Sequence, residues 1–167
     1  MEDIIIQKNS RTIPLTALLR TRPSVVASIR GSGAYPSILG TVGFYGIPQG
    51  VIAVAEIYGL PRPVGRCDSP IFGFHIHGGA TCTGNADDPF ANAGMHYDPH
   101  NCPHPYHAGD LPPLYSADGH ALSVFLTNRF TIEEIVGKTV IIHSMPDDFT
   151  TQPSGNAGEK MACGVIR

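Results

Sequence analysis

Apolar positions along this chain come in short runs, with no sustained helical period. Residues 25–29, 38–45, 51–58, 71–77, 121–127, 140–143 and 162–166 are rich in Val, Ile, Phe and Tyr and are bounded by Gly or Pro, which predicts short β-strands. No strand followed by a long helix recurs, so a parallel α/β sheet is disfavoured and an antiparallel sandwich or barrel is expected. Thr131-Ile132-Glu133-Glu134 reads as a capping box, with Gly137 placed to end the helix after a turn or two, a connector outside the core. Residues 1–22 precede the first strand as an N-terminal extension in which 15–19 carry a short helical signal, and residues 23–167 form one domain. Two segments, 78–114 and 144–160, are long and unlike strands, and loops of that length in a compact domain usually carry function.

Composition narrows the class. A chain of 167 residues with 42% apolar and 15% charged residues can bury a single core and is neither a charged disordered tail nor a membrane bundle. Eleven basic residues against fourteen acidic ones, net −3, leave no excess to neutralise a phosphate backbone, so no nucleic-acid partner is expected. Residues 31–55 contain no charged side chain and by length would reach across a membrane. Eight Gly and Pro residues interrupt them, however, and Gly46-Ile47-Pro48-Gln49-Gly50 between two β-rich runs predicts a hairpin, so no membrane partner is expected. The start Met1-Glu2-Asp3 carries acids where a signal peptide needs positive charge. A cytoplasmic location follows as the expectation, with a periplasmic or other extracytoplasmic one if a leader has been removed.

The candidate chemistry lies in the histidines. Six of the eight fall between positions 75 and 107: His75, His77, His96, His100, His104 and His107. A lone His is ordinarily a hydrogen-bonded structural residue, whereas this density, with Asp110 close behind, points to metal. His75 and His77 alternate with Phe74 and Ile76, so on a strand both imidazoles share one face while the apolar residues fill the other. His143 ends the run 140–143 and could join them from a neighbouring strand. His104, His107 and Asp110 form a compact nitrogen and carboxylate set that suits zinc when another His, such as His96, completes it. A cupin-type site would place a Glu shortly after the His-x-His pair, yet none occurs before Glu133, and the His-Glu-x-x-His pattern of a zinc hydrolase is absent.

Five ordered segments carry a family resemblance: Gly73-Phe74-His75-Ile76-His77, Ala93-Gly94-Met95-His96-Tyr97-Asp98-Pro99, His107-Ala108-Gly109-Asp110-Leu111-Pro112, Ile142-His143-Ser144-Met145-Pro146-Asp147-Asp148, and residues 155–166, which end Met161-Ala162-Cys163-Gly164-Val165-Ile166. Together they resemble the copper/zinc superoxide dismutases, with wording closer to the bacterial branch. The resemblance implies an all-β, eight-stranded antiparallel Greek-key barrel with two long functional loops. It implies copper held by His75, His77, His96 and His143, and zinc held by His96, His104, His107 and Asp110, with His96 bridging the two and His100 an alternative to His104. Asp147 would link a copper His to a zinc His. Cys82 and Cys163 match the family's intrasubunit disulfide, an unusual bond for a cytosolic chain. Cys67 and Cys102 lie outside the pattern and are open to three readings: a second bridge, metal binding with His100 or His104, or two unpaired thiols.

The implied activity is disproportionation of the superoxide anion to oxygen and hydrogen peroxide, with copper changing oxidation state and His96 handling a proton. One position departs from the family. Lys160 stands where an Arg is usual, keeping the charge but losing the planar fork, so anion docking should be less well oriented and turnover reduced. The alternative is a non-catalytic copper-binding or copper-handling protein of the same fold. A homodimer is compatible with the resemblance, which does not specify it.

Overall fold

The computed structural model describes residues 5–8, 11–65, 67–68 and 70–167. A two-stranded hairpin, β1 (Ile5–Lys8) and β2 (Arg11–Pro14), leads into one turn of helix, α1 (Leu15–Leu18). The barrel follows. β3 (Val25–Gly31), β4 (Leu39–Ile47) and β5 (Gly50–Tyr58) run as an antiparallel meander, with the expected hairpin at 46–50. After them come β6 (Ile71–Phe72), β7 (Phe74–His77), β8 (Leu114–Ala117), β9 (His120–Thr127), α2 (Ile132–Ile135), β10 (Thr139–His143) and β11 (Lys160–Val165). The order across the sheet is β6-β8-β9-β5-β4-β3-β11-β10-β7.

The two ends of that order, β6 and β7, are halves of one stretch of chain, so the sheet closes on itself as an eight-stranded Greek-key barrel. The break falls at Gly73, where Ile71 and Phe72 pair with β8 while Phe74 to His77 pair with β10. A Cβ at Gly73 would sit 2.8 Å from Ala157 Cβ and 3.2 Å from His143 Cβ, so only glycine allows the loop and β10 to approach there. The predicted single run 71–77 is thus one strand serving two sheet edges.

β8 lies outside the strand-like runs of the sequence, and its Leu114 closes the segment 78–114 that reads as a loop. Its partner is set by Asp118-Gly119, both at positive φ (54° and 83°), the tight-turn geometry that joins neighbouring antiparallel strands. The capping box is present as read: Thr131 Oγ1 accepts from the Glu134 amide and Glu134 Oε2 accepts from the Thr131 amide. Inward-facing residues of alternating strands, among them Ile29, Val42, Phe44, Ile57, Phe74, Ile76, Val140, Ile142 and Met161, form the main core. Among the described residues no helix is long and apolar enough to cross a membrane.

The helical arm at 15–19 has a specific seat. Leu18 is fully buried against Tyr45 and Ile52 on the outer face of β4 and β5, with Leu15 alongside. Truncating such a side chain removes its transfer free energy and leaves a void. Leu18→Ala is therefore expected to destabilise the protein by about 2–3 kcal/mol, read from the urea unfolding midpoint; an unchanged midpoint would mean that the arm contributes nothing to the barrel's stability.

Candidate metal centre

β7 is buried on both faces. Phe74 and Ile76 point into the barrel, while His75 and His77 lie on the outer face under the loop that follows. β10 runs beside it, and the His143 amide donates to the Gly73 carbonyl at 2.8 Å, which brings the third imidazole alongside the first two. The long loop then adds itself to the free edge of β7. Tyr97 N–H donates to Ile76 O at 2.8 Å, Ile76 N–H to Gly109 O at 2.9 Å and Gly78 N–H to Met95 O at 2.9 Å, so that His96 pairs with His77 and Asp110 with His75. Backbone pairing places residues of the loop on the strand that already holds two histidines.

Two clusters result, His75 with His77, His96 and His143, and His96 with His104, His107 and Asp110, each with its candidate ligand atoms within 4.8 Å of one another. His96 belongs to both. His104 is buried within the second cluster, whereas His100 is exposed and outside it.

Hydrogen-bond partners decide which nitrogen of each ring is bare. His75 Nε2 donates to Asp147 Oδ2 at 2.7 Å, and His104 Nε2 donates to Asp147 Oδ1 at 2.9 Å, leaving both Nδ1 atoms as buried lone pairs without a partner. His77 Nδ1 donates to the Gly94 carbonyl at 2.8 Å and His143 Nδ1 to the Gly158 carbonyl at 3.2 Å. Their Nε2 atoms, 3.3 Å apart, are therefore both acceptors and face each other. His104 Nδ1 and His107 Nδ1 lie 3.1 Å and 3.2 Å from Asp110 Oδ2 without making a hydrogen bond to it. His96 Nδ1 is 2.7 Å from Asp110 Oδ1, and its Nε2 is buried without a partner. Acceptors aimed at acceptors repel unless a cation lies among them, and the donor sets, four nitrogens in one cluster and three nitrogens with a carboxylate in the other, suit copper and zinc respectively.

The electrostatics agree. Burial pushes His75 and His77 below the usual imidazole range, His77 further because His143 lies beside it, and burial with the neighbouring His75 takes His143 down to about 3. These rings are neutral and available as ligands. Burial alone would raise Asp147 and Asp110. Hydrogen bonds from His75, the Phe149 amide and His104 instead hold Asp147 well below the ordinary carboxylate range, and His96 does the same to a lesser degree for Asp110.

Three residues support the site that the sequence did not single out. Gln152 clamps His104 from the second loop, its Oε1 accepting from the His104 amide at 2.9 Å and its Nε2 donating to the His104 carbonyl at 2.7 Å. Arg129 Nη1 donates to the carbonyls of Pro105, His107 and Asp110, fixing the loop that carries the second cluster. Asp88 pairs with Lys160. Gly155, at φ +66°, lets its backbone pass against Asp147 and His104, where a Cβ would fall 2.1 Å from Asp147 Oδ1.

An open cleft of about 370 Å³ reaches His77, His96 and His143, and Lys160 is part of its wall. Cys82 and Cys163 form a disulfide that ties the first loop to β11, with Phe90 and Ala93 packed beside it on Ile141. Cys67 and Cys102 are both free thiols, so of the three readings neither the second bridge nor a shared metal cluster among the described residues is present.

A profile of the copper/zinc superoxide dismutase (SODC) family matches residues 38–166. The Cu-Zn superoxide dismutase of Legionella pneumophila is 33% identical over 151 residues, covering 86% of this chain and 86% of that one. The Cu-Zn superoxide dismutase of Photobacterium leiognathi is 38% identical over 143 residues, 77% of this chain and 79% of its own, and that of Deinococcus radiodurans 32% over 148 residues, 78% of each. With a closed Greek-key barrel, two buried donor sets joined through one histidine and these relatives, the chain belongs to the copper/zinc superoxide dismutase family.

Proposed function

We propose that this chain disproportionates superoxide, two anions and two protons giving one dioxygen and one hydrogen peroxide. The observation that carries the reading is the pair of buried donor sets with their bare acceptors turned inward and His96 common to both. Copper would be held by His75 Nδ1, His77 Nε2, His96 Nε2 and His143 Nε2, and zinc by His96 Nδ1, His104 Nδ1, His107 Nδ1 and a carboxylate oxygen of Asp110. When bound, copper supplies one-electron redox chemistry and zinc a fixed positive charge.

The chain's own residues do the rest. Asp147 fixes the rings of His75 and His104 through their distal nitrogens, so neither can turn away. His96 lines the cleft and can hold a proton at Nε2 and pass it to the reduced substrate, while its Nδ1, hydrogen-bonded to Asp110 Oδ1 in the metal-free protein, would turn to zinc. Lys160 is the cation of the cleft wall and draws the anion as a point charge, without the fork that would orient it. The wall bounds the space in which the anion would sit beside His77, His96 and His143.

Protein reconstituted with copper and zinc is expected to hold one of each per chain by mass spectrometry and to consume superoxide in proportion to copper. Stoichiometric copper with no turnover above that of free copper overturns the dismutase reading and leaves a copper-binding protein of the same fold. Replacing Asp147 with Asn swaps a carboxylate holding two rings for a weaker amide, and metal affinity is expected to fall about 10–100-fold in competition with a chelator; unchanged affinity would show that the two rings need no such support.

Acid should destabilise the metal-free protein. His75, His77 and His143 stay neutral when folded but would each take a proton near pH 6.5 when unfolded, so the unfolded state binds more protons as pH falls. Stability is then full above about pH 6.5 and falls below it, the His143 contribution by about 1.4 kcal/mol per pH unit toward its value of about 3, with His75 and His77 adding in the same direction. The depressed Asp110 and Asp147 add a further loss below about pH 4. A urea midpoint that is flat between about pH 7.5 and 5 would contradict neutral burial of these rings.

A further inference from the structure

The charges on the cleft wall are unfavourable to an anion. Among the described residues the lining holds three carboxylates, Asp87, Asp88 and Glu159, against one ammonium, Lys160. That ammonium is already engaged, its Nζ hydrogen-bonded to Asp88 Oδ2 with the Lys160 side chain only 16% exposed. Glu159 accepts the Tyr35 hydroxyl and keeps its carboxylate at the rim.

Of the two partners, Asp88 is the fixed one. Its Oδ1 accepts the Phe90 amide at 3.0 Å, its own amide donates to Asn85 Oδ1 at 2.9 Å, and its carbonyl accepts from the amides of Asn85 and Ala91 at 3.0 and 3.1 Å. Phe90, 7% exposed, then anchors the segment on Ile141 and Cys163, and the Cys82–Cys163 disulfide holds the same loop to β11. Lys160 has a flexible four-carbon stem. The Lys160 ammonium therefore sits where Asp88 holds it, on the wall of the cleft.

We infer that Asp88 is a positioning residue that restrains anion entry, holding the Lys160 ammonium on the cleft wall and away from direct contact with a small anion at the copper. The inference rests on the dismutase reading for its substrate, while its physical content is the placement of one charge. Coulomb contributions from fixed charges add, so a restraint on Lys160 has a signature that mere charge removal lacks: the effects of altering Asp88 and Lys160 must be coupled.

The test uses copper- and zinc-loaded protein with azide as the anion probe, titrated through the copper absorption spectrum at low ionic strength. Asp88→Asn keeps the acceptor for the Phe90 amide and removes the charge. Azide affinity is expected to rise about threefold or more, the gain shrinking with added salt, and kcat/KM for superoxide to rise with it. In the Lys160→Met background the same replacement should give markedly less. Unchanged azide affinity in Asp88→Asn, or a gain equal in both backgrounds, overturns the inference. Asp88→Ser, whose hydroxyl can accept the same amide, replaces Asn if that variant does not fold. Azide binding is read without turnover, so a protein that holds copper and fails to consume superoxide refutes the dismutase reading and leaves this test standing.

Discussion

Lone pairs that face lone pairs inside a buried cluster are the constraint on which the rest of the structure depends. His77 Nε2 and His143 Nε2 stand 3.3 Å apart with their other nitrogens committed to carbonyls, and His104 Nδ1 and His107 Nδ1 crowd one oxygen of Asp110. An ordinary core would not keep such an arrangement, because each bare acceptor has lost water without gaining a donor. Cations relieve it, and their binding energy becomes folding energy. The barrel supplies what the cluster cannot: a closed hydrogen-bonded frame and an apolar interior under β7 and β10.

Support for the cluster comes from outside it and ties its halves together. Asp147 accepts one hydrogen bond from a ring of the first donor set and one from a ring of the second, so a shift of either ring is felt by the other. Gln152 repeats the connection through the backbone of His104, and Arg129 gathers three carbonyls of the same loop. The two long loops are thus joined by the buried Asp147 and by Gln152, and the Cys82–Cys163 bond ties the first of them to β11, the strand that follows the second. A loop that would wander by itself is over-determined here, as donor atoms that must agree in position to a fraction of an ångström require.

Period-two alternation made His75 and His77 legible as neighbours on one face, and His143 at the end of an apolar run was legible as a third. The capping box at Thr131 was equally local and equally readable. What local pattern did not show was the pairing of distant segments, for which only the family resemblance spoke. Nothing in the sequence pairs Tyr97 and Gly109 with Ile76, yet that pairing carries His96 and Asp110 onto the β7 edge. The resemblance left His100 as an alternative to His104, and the two are separated by the Gln152 clamp and Asp147, which hold His104 inward while His100 remains at the surface. The closure at Gly73 was hidden in a run that reads as one strand, and β8 in a run whose only signal was the Asp-Gly turn beyond it. Asp88 sits 72 residues from Lys160 in a loop without periodicity, so no pattern could have joined them.

The parts that hold metal and the parts that face the solvent stand on different supports. Five of the donor residues are fixed by strands or by backbone pairing to a strand: His75, His77, His143, His96 and Asp110. The charges of the cleft wall, Asp87, Asp88 and Glu159, belong to loop segments, and Lys160 is the first residue of its strand. None of the wall charges lies in the barrel's core or belongs to either donor set. Metal retention and anion access are therefore physically separable in this fold. A chain can keep both donor sets intact while its wall turns from inviting an anion to restraining one, and the Lys160 ammonium, paired to the Asp88 carboxylate, is an instance of that separation.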